Sequence, residues 1–134
     1  MRNVFLILVF SMILAGCSSD DDHNQEVDVL SGLWKLTSYT ESWDYRNYEQ
    51  DEIHWSFHNG NIFVEINGNP DFIPEMPFQA TGNYDYFLDI ENSQITIANI
   101  LYEYFITDNG NKLSLIHGDP EADGGHIFAF DKIE

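Results

Sequence analysis

Basic side chains, cysteine and helical periodicity are what this chain has least of. Five Lys and Arg stand against 23 Asp and Glu, a formal charge of -18 over 134 residues. With so few cations no surface offers a basic track for phosphates, which excludes nucleic acid as a partner. The single cysteine, Cys17, excludes an intramolecular disulfide, so the fold must draw its stability from burial alone. Beyond the N-terminal run there is no 3.6-residue apolar period, so no helix is expected in the domain. No Gly-X-Ser-X-Gly elbow occurs, no His is patterned with a Ser and a carboxylate, and the many acids follow no motif, so no enzyme activity is expected and no cofactor is called for. What the chain does have is apolar substance: 43% hydrophobic and 15% aromatic residues are ample for one packed domain.

The start of the chain reads as an address. Arg2 gives a positive beginning, Val4 to Leu14 an apolar run too short to span a bilayer, and small residues follow. Leu14-Ala15-Gly16-Cys17 resembles the lipobox of bacterial lipoproteins. The resemblance implies that residues 1–16 are a signal peptide and that Cys17 is acylated, with palmitate among its chains, and becomes the first mature residue. Acyl chains hold a protein on a membrane without a spanning segment. Ser18-Ser19-Asp20-Asp21-Asp22 opens an acidic tether over residues 17–28, too polar to pack. It resembles the export signal that carries certain Gram-negative lipoproteins to the outer face of the outer membrane, and it equally suits a plain spacer. The expected location is the outer membrane, lipid-anchored and exposed at the cell surface.

Residues 29–134 read as strands punctuated by turns. Gly32 to Thr40 is the first, with Trp34 and Leu36 on one side and Leu33, Lys35 and Thr37 on the other. Asn59-Gly60 joins two alternating runs and predicts a hairpin pairing Phe57 with Ile62, Trp55 with Val64 and Ile53 with Ile66, because both turn positions need positive φ. Asn109-Gly110 predicts a second, pairing Ile106 with Leu113, Tyr104 with Leu115 and Tyr102 with His117. A turn at Asn92-Ser93 would set Ile90 against Ile95 and Leu88 against Ile97. Ile100-Leu101 has no turn former, so a bulge or longer loop is expected there. Across the loop Gly118 to Gly125, His117 faces His126, Leu115 faces Phe128 and Leu113 faces Phe130. About eight strands in consecutive hairpins make an all-β, antiparallel up-and-down barrel, since closure removes exposed edges.

Gly32-Leu33-Trp34 resembles the Gly-X-Trp signature of lipocalins and their relatives. Together with the lipobox and the hairpins it is similar to the small lipocalin-like domains of bacterial lipoproteins. The resemblance implies a barrel with Trp34 across its closed end and apolar molecules entering at the other. The chain is shorter than a full-length lipocalin and has no helix after the barrel, no disulfide and no second or third family motif.

In such a barrel the short turns share the end where Trp34 begins, and the loops Glu41 to Asp51, Gly68 to Pro77 and Gly118 to Gly125 share the other. Glu41, Asp44, Glu49, Asp51, Asp71, Glu75, Asp119, Glu121 and Asp123 make that open mouth acidic, against Arg46 alone. Such a field favours neutral or cationic ligands over anions. Trp43, Tyr45, Tyr48 and Phe72 supply stacking and cation–π faces beside Arg46, or simply pack on the barrel. Tyr102, His117 and His126 form an inward polar group near the mouth, with His117, His126, Asp119 and Asp123 as metal candidates and a hydrogen-bonded cluster as the plainer reading. His54 and His58 are too far apart on a strand to share an ion.

The inward list Trp34, Leu36, Trp55, Phe57, Tyr84, Tyr86, Tyr104, Leu115, Phe128 and Phe130 either lines a pocket or fills the barrel. A small neutral or cationic apolar ligand in the interior is the first functional expectation. A surface module meeting an envelope protein or glycan through acidic aromatic loops is the second, and an enzyme or inhibitor on the same scaffold the third.

Overall fold

The computed structural model describes residues 28–68, 70–74 and 80–133. The signal peptide, Cys17 and nearly all of the tether fall outside them, as do Glu75, Pro77 and Phe78. Nine strands follow one another: β1 (Gly32–Glu41), β2 (Asp44–Asn47), β3 (Ile53–His58), β4 (Asn61–Ile66), β5 (Gly82–Asp89), β6 (Gln94–Ile97), β7 (Ile100–Thr107), β8 (Lys112–His117) and β9 (His126–Ile133). From β3 to β9 each strand pairs antiparallel with the next, and β1 pairs with β3 on one side and β9 on the other. The result is an all-β, closed eight-strand up-and-down barrel. The ninth strand, β2, is an extra hairpin arm on the far half of β1.

Alternation decides most of the register, because a slip of one residue would turn every apolar side chain to solvent. Trp55 pairs with Val64 and Phe57 with Ile62 around Asn59-Gly60, whose φ angles of 48° and 77° are those a two-residue hairpin demands. Leu113 pairs with Phe130, Leu115 with Phe128 and His117 with His126. Tyr104 opposes Leu115 and Ile106 opposes Leu113, although the turn between them is four residues long rather than two.

Two expectations are corrected. The turn after β5 lies at 90–93, so Leu88 pairs with Ile95 and Tyr86 with Ile97, two residues away from the predicted register. Asp89 sets this turn: its carboxylate accepts from the Asn92 backbone N–H at 3.1 Å and side-chain amide at 2.8 Å. Parity survives a shift of two, so the same faces stay buried. Nor is there a loop at Ile100-Leu101, which belong to β7. Ala98 and Asn99 make the connection with φ of 49° and 66°, a two-residue turn built without glycine.

A third correction comes from β1. The β1–β9 register shifts between Leu36 and Ser38, so Thr37 is an extra residue in its strand. Its hydroxyl donates to the Ala129 carbonyl at 3.0 Å and its own carbonyl accepts from the Tyr48 N–H. Past this bulge the inward parity switches from even to odd, and Tyr39 turns into the barrel, 2% exposed.

The end where β1 begins is shut. Leu30 is fully buried beneath the barrel, and the Trp34 indole N–H donates to its carbonyl at 2.8 Å. Asp28 accepts from the Tyr86 hydroxyl and from the Leu30 N–H. Gly32 has no side chain to obstruct Lys132, whose ammonium lies 5.2 Å from the centre of the Trp34 ring. Between the ends, Trp55 lies 4.7 Å from Phe130 and 5.6 Å from Phe128, and Phe57 meets Tyr86 edge-on at 5.5 Å. Of the expected inward residues all are buried except Tyr84, which is partly exposed and packs on the core. The gap bounded by Leu36, Ile53, Val64, Pro74 and Phe128 measures about 10 Å³. That is hardly room for one water molecule.

Candidate functional site

The wide end, where β1 finishes, gathers most of the chemistry. The stretch expected as an open loop from Glu41 is instead a hairpin: β2 folds back on β1 around Ser42-Trp43, pairing Thr40 with Tyr45 and Tyr39 with Arg46. Cross-strand partners share a face, so Arg46 stands over the barrel mouth beside Tyr39. Phe72 enters from the β4–β5 connection and fills the space between them.

Six planar groups, from Arg46 to Tyr102, form a continuous column across the mouth. The Arg46 guanidinium lies 5.4 Å above the Phe72 ring, and Phe72 stacks on Tyr39 at 5.8 Å with 23° between planes. Tyr39 stacks on His126 at 5.8 Å and 21°, and His126 on His117 at 6.0 Å and 27°. Tyr102 tilts against His117 at 5.6 Å and meets Phe128 edge-on at 6.0 Å. The mouth is therefore covered by its own rings.

Hydrogen bonds hold the middle of the column. The Tyr39 hydroxyl shares a 2.6 Å bond with His126 Nδ1 and approaches Glu41 Oε2 at 3.3 Å. His117 Nδ1 is 2.8 Å from the Leu101 carbonyl. By contrast the buried hydroxyls of Tyr48 and Tyr102 have no hydrogen-bond partner among the described residues. Burial drives the Tyr39, Tyr48 and Tyr102 pKa values upward, well beyond the ordinary phenol range. Glu41 adds to the shift at Tyr39 and Glu52 to that at Tyr48, while Arg46 opposes the latter. All three remain O–H donors at any physiological pH.

The candidate ligand residues fall into three places. Tyr45, Arg46, Tyr48 and Phe72 line one surface depression of about 310 Å³, together with Asn47, Glu49, Glu52 and Asp71. Tyr102, His117 and His126 lie behind it in the column, with Tyr102 only 1% exposed and closed off from the depression's surface. Trp43 stands apart at the hairpin tip, 86% exposed. Asp119 spends its carboxylate on the Glu121 N–H at 3.0 Å, turning the loop rather than facing the histidines. Among the described residues no three His, Cys, Asp or Glu are grouped to hold a metal ion.

Tyr39 is the member of the site that alternation along β1 misses. Its signal, if any, is the run Thr37-Ser38 between apolar residues, which breaks the pattern without announcing a bulge. No family model matches the chain, and no curated protein or solved structure is significantly similar to it.

Proposed function

We propose that the protein is a lipid-anchored lipoprotein of the outer membrane that presents the wide end of its barrel as a recognition surface. The observation that carries this reading is the packing of the described residues in the interior, between which the gap at Leu36, Val64 and Phe128 measures about 10 Å³, far below the several hundred that ligand pockets occupy. Recognition then belongs to the rim, where Tyr45 is exposed at a depression of small-ligand size and Trp43 stands exposed at the hairpin tip. The lipobox-like Cys17 supports the anchor. Asp28, the first described residue, lies at the shut end, so the wide end points away from a membrane that holds the chain by its N-terminus.

Anchoring and recognition are tested separately. Cells fed a clickable palmitate analogue should label the wild-type chain and not Cys17→Ser, and protease added to intact cells should remove the domain. For recognition, purified full-length protein is screened on glycan and envelope-protein panels. Binding lost in Trp43→Ala or Tyr45→Ala supports the rim. A lipid or sterol that co-purifies with the protein in native mass spectrometry and persists in both rim variants would move the function back to the interior.

A further inference from the structure

We infer that the shut end of the barrel beds into the headgroup layer of a phospholipid bilayer, with a band of apolar side chains around that end as the contact; this rests on the chain being lipid-anchored through Cys17. The first observation is position. Of the eight large hydrophobic side chains exposed among the described residues, Val29, Leu33, Phe63, Phe87 and Phe105 lie toward this end. Leu33 is the second residue of β1 and Phe63 the third of β4, while Phe87 and Phe105 each stand two residues before the last of β5 and β7. All four strand ends meet the shut end, so these side chains sit within about 10 Å of it at the usual strand rise. Val29 belongs to the floor itself, next to buried Leu30. Singly, exposed apolar side chains are ordinary. Four at one depth on four strands, around a floor that adds a fifth, make a band.

The second observation is where the tether joins. Asp28 lines a surface depression of about 290 Å³ together with Phe87 and Leu88, so the chain coming from Cys17 reaches the domain beside the most exposed ring of the band, Phe87 at 71%. Ten residues, Ser18 to Val27, separate Cys17 from Asp28, a reach of at most about 40 Å. That length permits contact without forcing it, and burial of the band supplies the remaining drive. The third is charge. Lys35, Lys112 and Lys132 stand on β1, β8 and β9 toward the shut end, whereas Arg46 is alone among the carboxylates of the wide end. At the shut end Asp28, Asp89 and Asp131 are bonded to Tyr86, Asn92 and Lys112, and its turns add Glu91 and Asp108. A phosphate-bearing surface therefore repels the wide end more strongly, which favours the same orientation as the band.

The test places a bimane reporter on the acylated chain purified from cells, at Leu33→Cys, at Phe87→Cys or, as the far-end control, at Tyr45→Cys; acylation keeps Cys17 from reacting. In phosphatidylcholine vesicles whose lipids carry a nitroxide just below the headgroup, the Leu33→Cys and Phe87→Cys reporters should lose about half of their emission and the Tyr45→Cys reporter almost none. Doubling the tether with a Gly/Ser insert should leave this contrast in place. Adding Val29→Ser/Phe63→Ser should cut the quenching of the Phe87→Cys reporter about twofold with circular dichroism unchanged. Unquenched Leu33→Cys and Phe87→Cys reporters on an acylated chain would overturn the inference and leave the anchor standing, whereas an intact mass without acyl chains would overturn both. Equal quenching at the two ends, a contrast lost with the longer tether, or no effect of Val29→Ser/Phe63→Ser would mean proximity alone and overturn the inference too. Protection of the Phe87→Cys reporter from aqueous iodide without nitroxide quenching would overturn it by assigning the band to a protein partner.

Discussion

The Tyr39 hydroxyl lies 2.6 Å from Nδ1 of His126, diagonally across the β1–β9 seam that closes the barrel. Both side chains are buried, both belong to the column over the mouth, and neither would meet the other if Thr37 stayed in the ladder instead of bulging out. The wide end is thus built on one short polar contact set among stacked rings.

Tyr39→Phe should destabilise the protein by about 1–3 kcal/mol, because it leaves a buried imidazole nitrogen without its partner. Tyr102→Phe should behave oppositely, unchanged or more stable, since that hydroxyl has nothing to lose. Urea unfolding of the two variants beside wild type reads the contrast directly. Equal losses would show that an internal water pairs Tyr102.

Alkaline pH should unfold the protein earlier than its acid content alone suggests. Tyr39, Tyr48, Tyr86 and Tyr102 all have pKa values raised by burial, with Asp28 adding to the shift at Tyr86. A raised phenol stabilises the fold fully below the unfolded pKa of about 10, and that stability drains away as pH climbs from there toward the folded value. Absorbance at 295 nm should show a group of tyrosines ionising only together with the loss of near-UV circular dichroism.

Leu30→Ala should cost about 2–5 kcal/mol, the usual range for emptying a fully buried leucine site. A loss under 1 kcal/mol in thermal or urea unfolding would mean that the barrel needs no plug at its shut end.

Thr37→Val should cost about 1 kcal/mol by removing the hydroxyl bond to Ala129. Deleting Thr37 should keep Tyr39 inside, because Leu36, Ser38 and Tyr39 then alternate regularly against Phe130, Ala129 and Phe128, and should cost about 1–3 kcal/mol through the lost bonds to Ala129 and Tyr48. Iodination should leave Tyr39 as protected in the deletion variant as in wild type; its labelling would show that the inward face was lost.

Much of the barrel could be read from residue types, and the reasons are local. Asn59-Gly60 dictates a tight turn by its φ angles, and the apolar residues flanking it leave a single register that buries them together. The same argument holds at Gly118 to Gly125, where His117 opposes His126. It fails at the β5–β6 turn, where the Asp89 carboxylate holds a four-residue turn that the Asn92-Ser93 pair does not announce. It fails again at Ala98-Asn99, where pairing on both sides sustains positive φ at residues that do not favour it. At the site, Tyr45, Arg46, Tyr48 and Phe72 were legible as loop aromatics beside a cation, but their meeting in one depression was not.

By itself the sequence determined the all-β class, the inward face of most strands and the shut end at Trp34, because period-2 alternation and turn chemistry act over a few neighbouring residues. Only the tertiary structure decided that the barrel is full, that β2 folds back over the mouth, and that Tyr39 rather than a solvent-facing residue joins His126. Those outcomes depend on ring volumes summed across eight strands and on one extra residue, Thr37, accommodated where β1 must bond to β9 and admit Tyr48 at once. No local pattern carries that information, since it exists only when the strands are assembled.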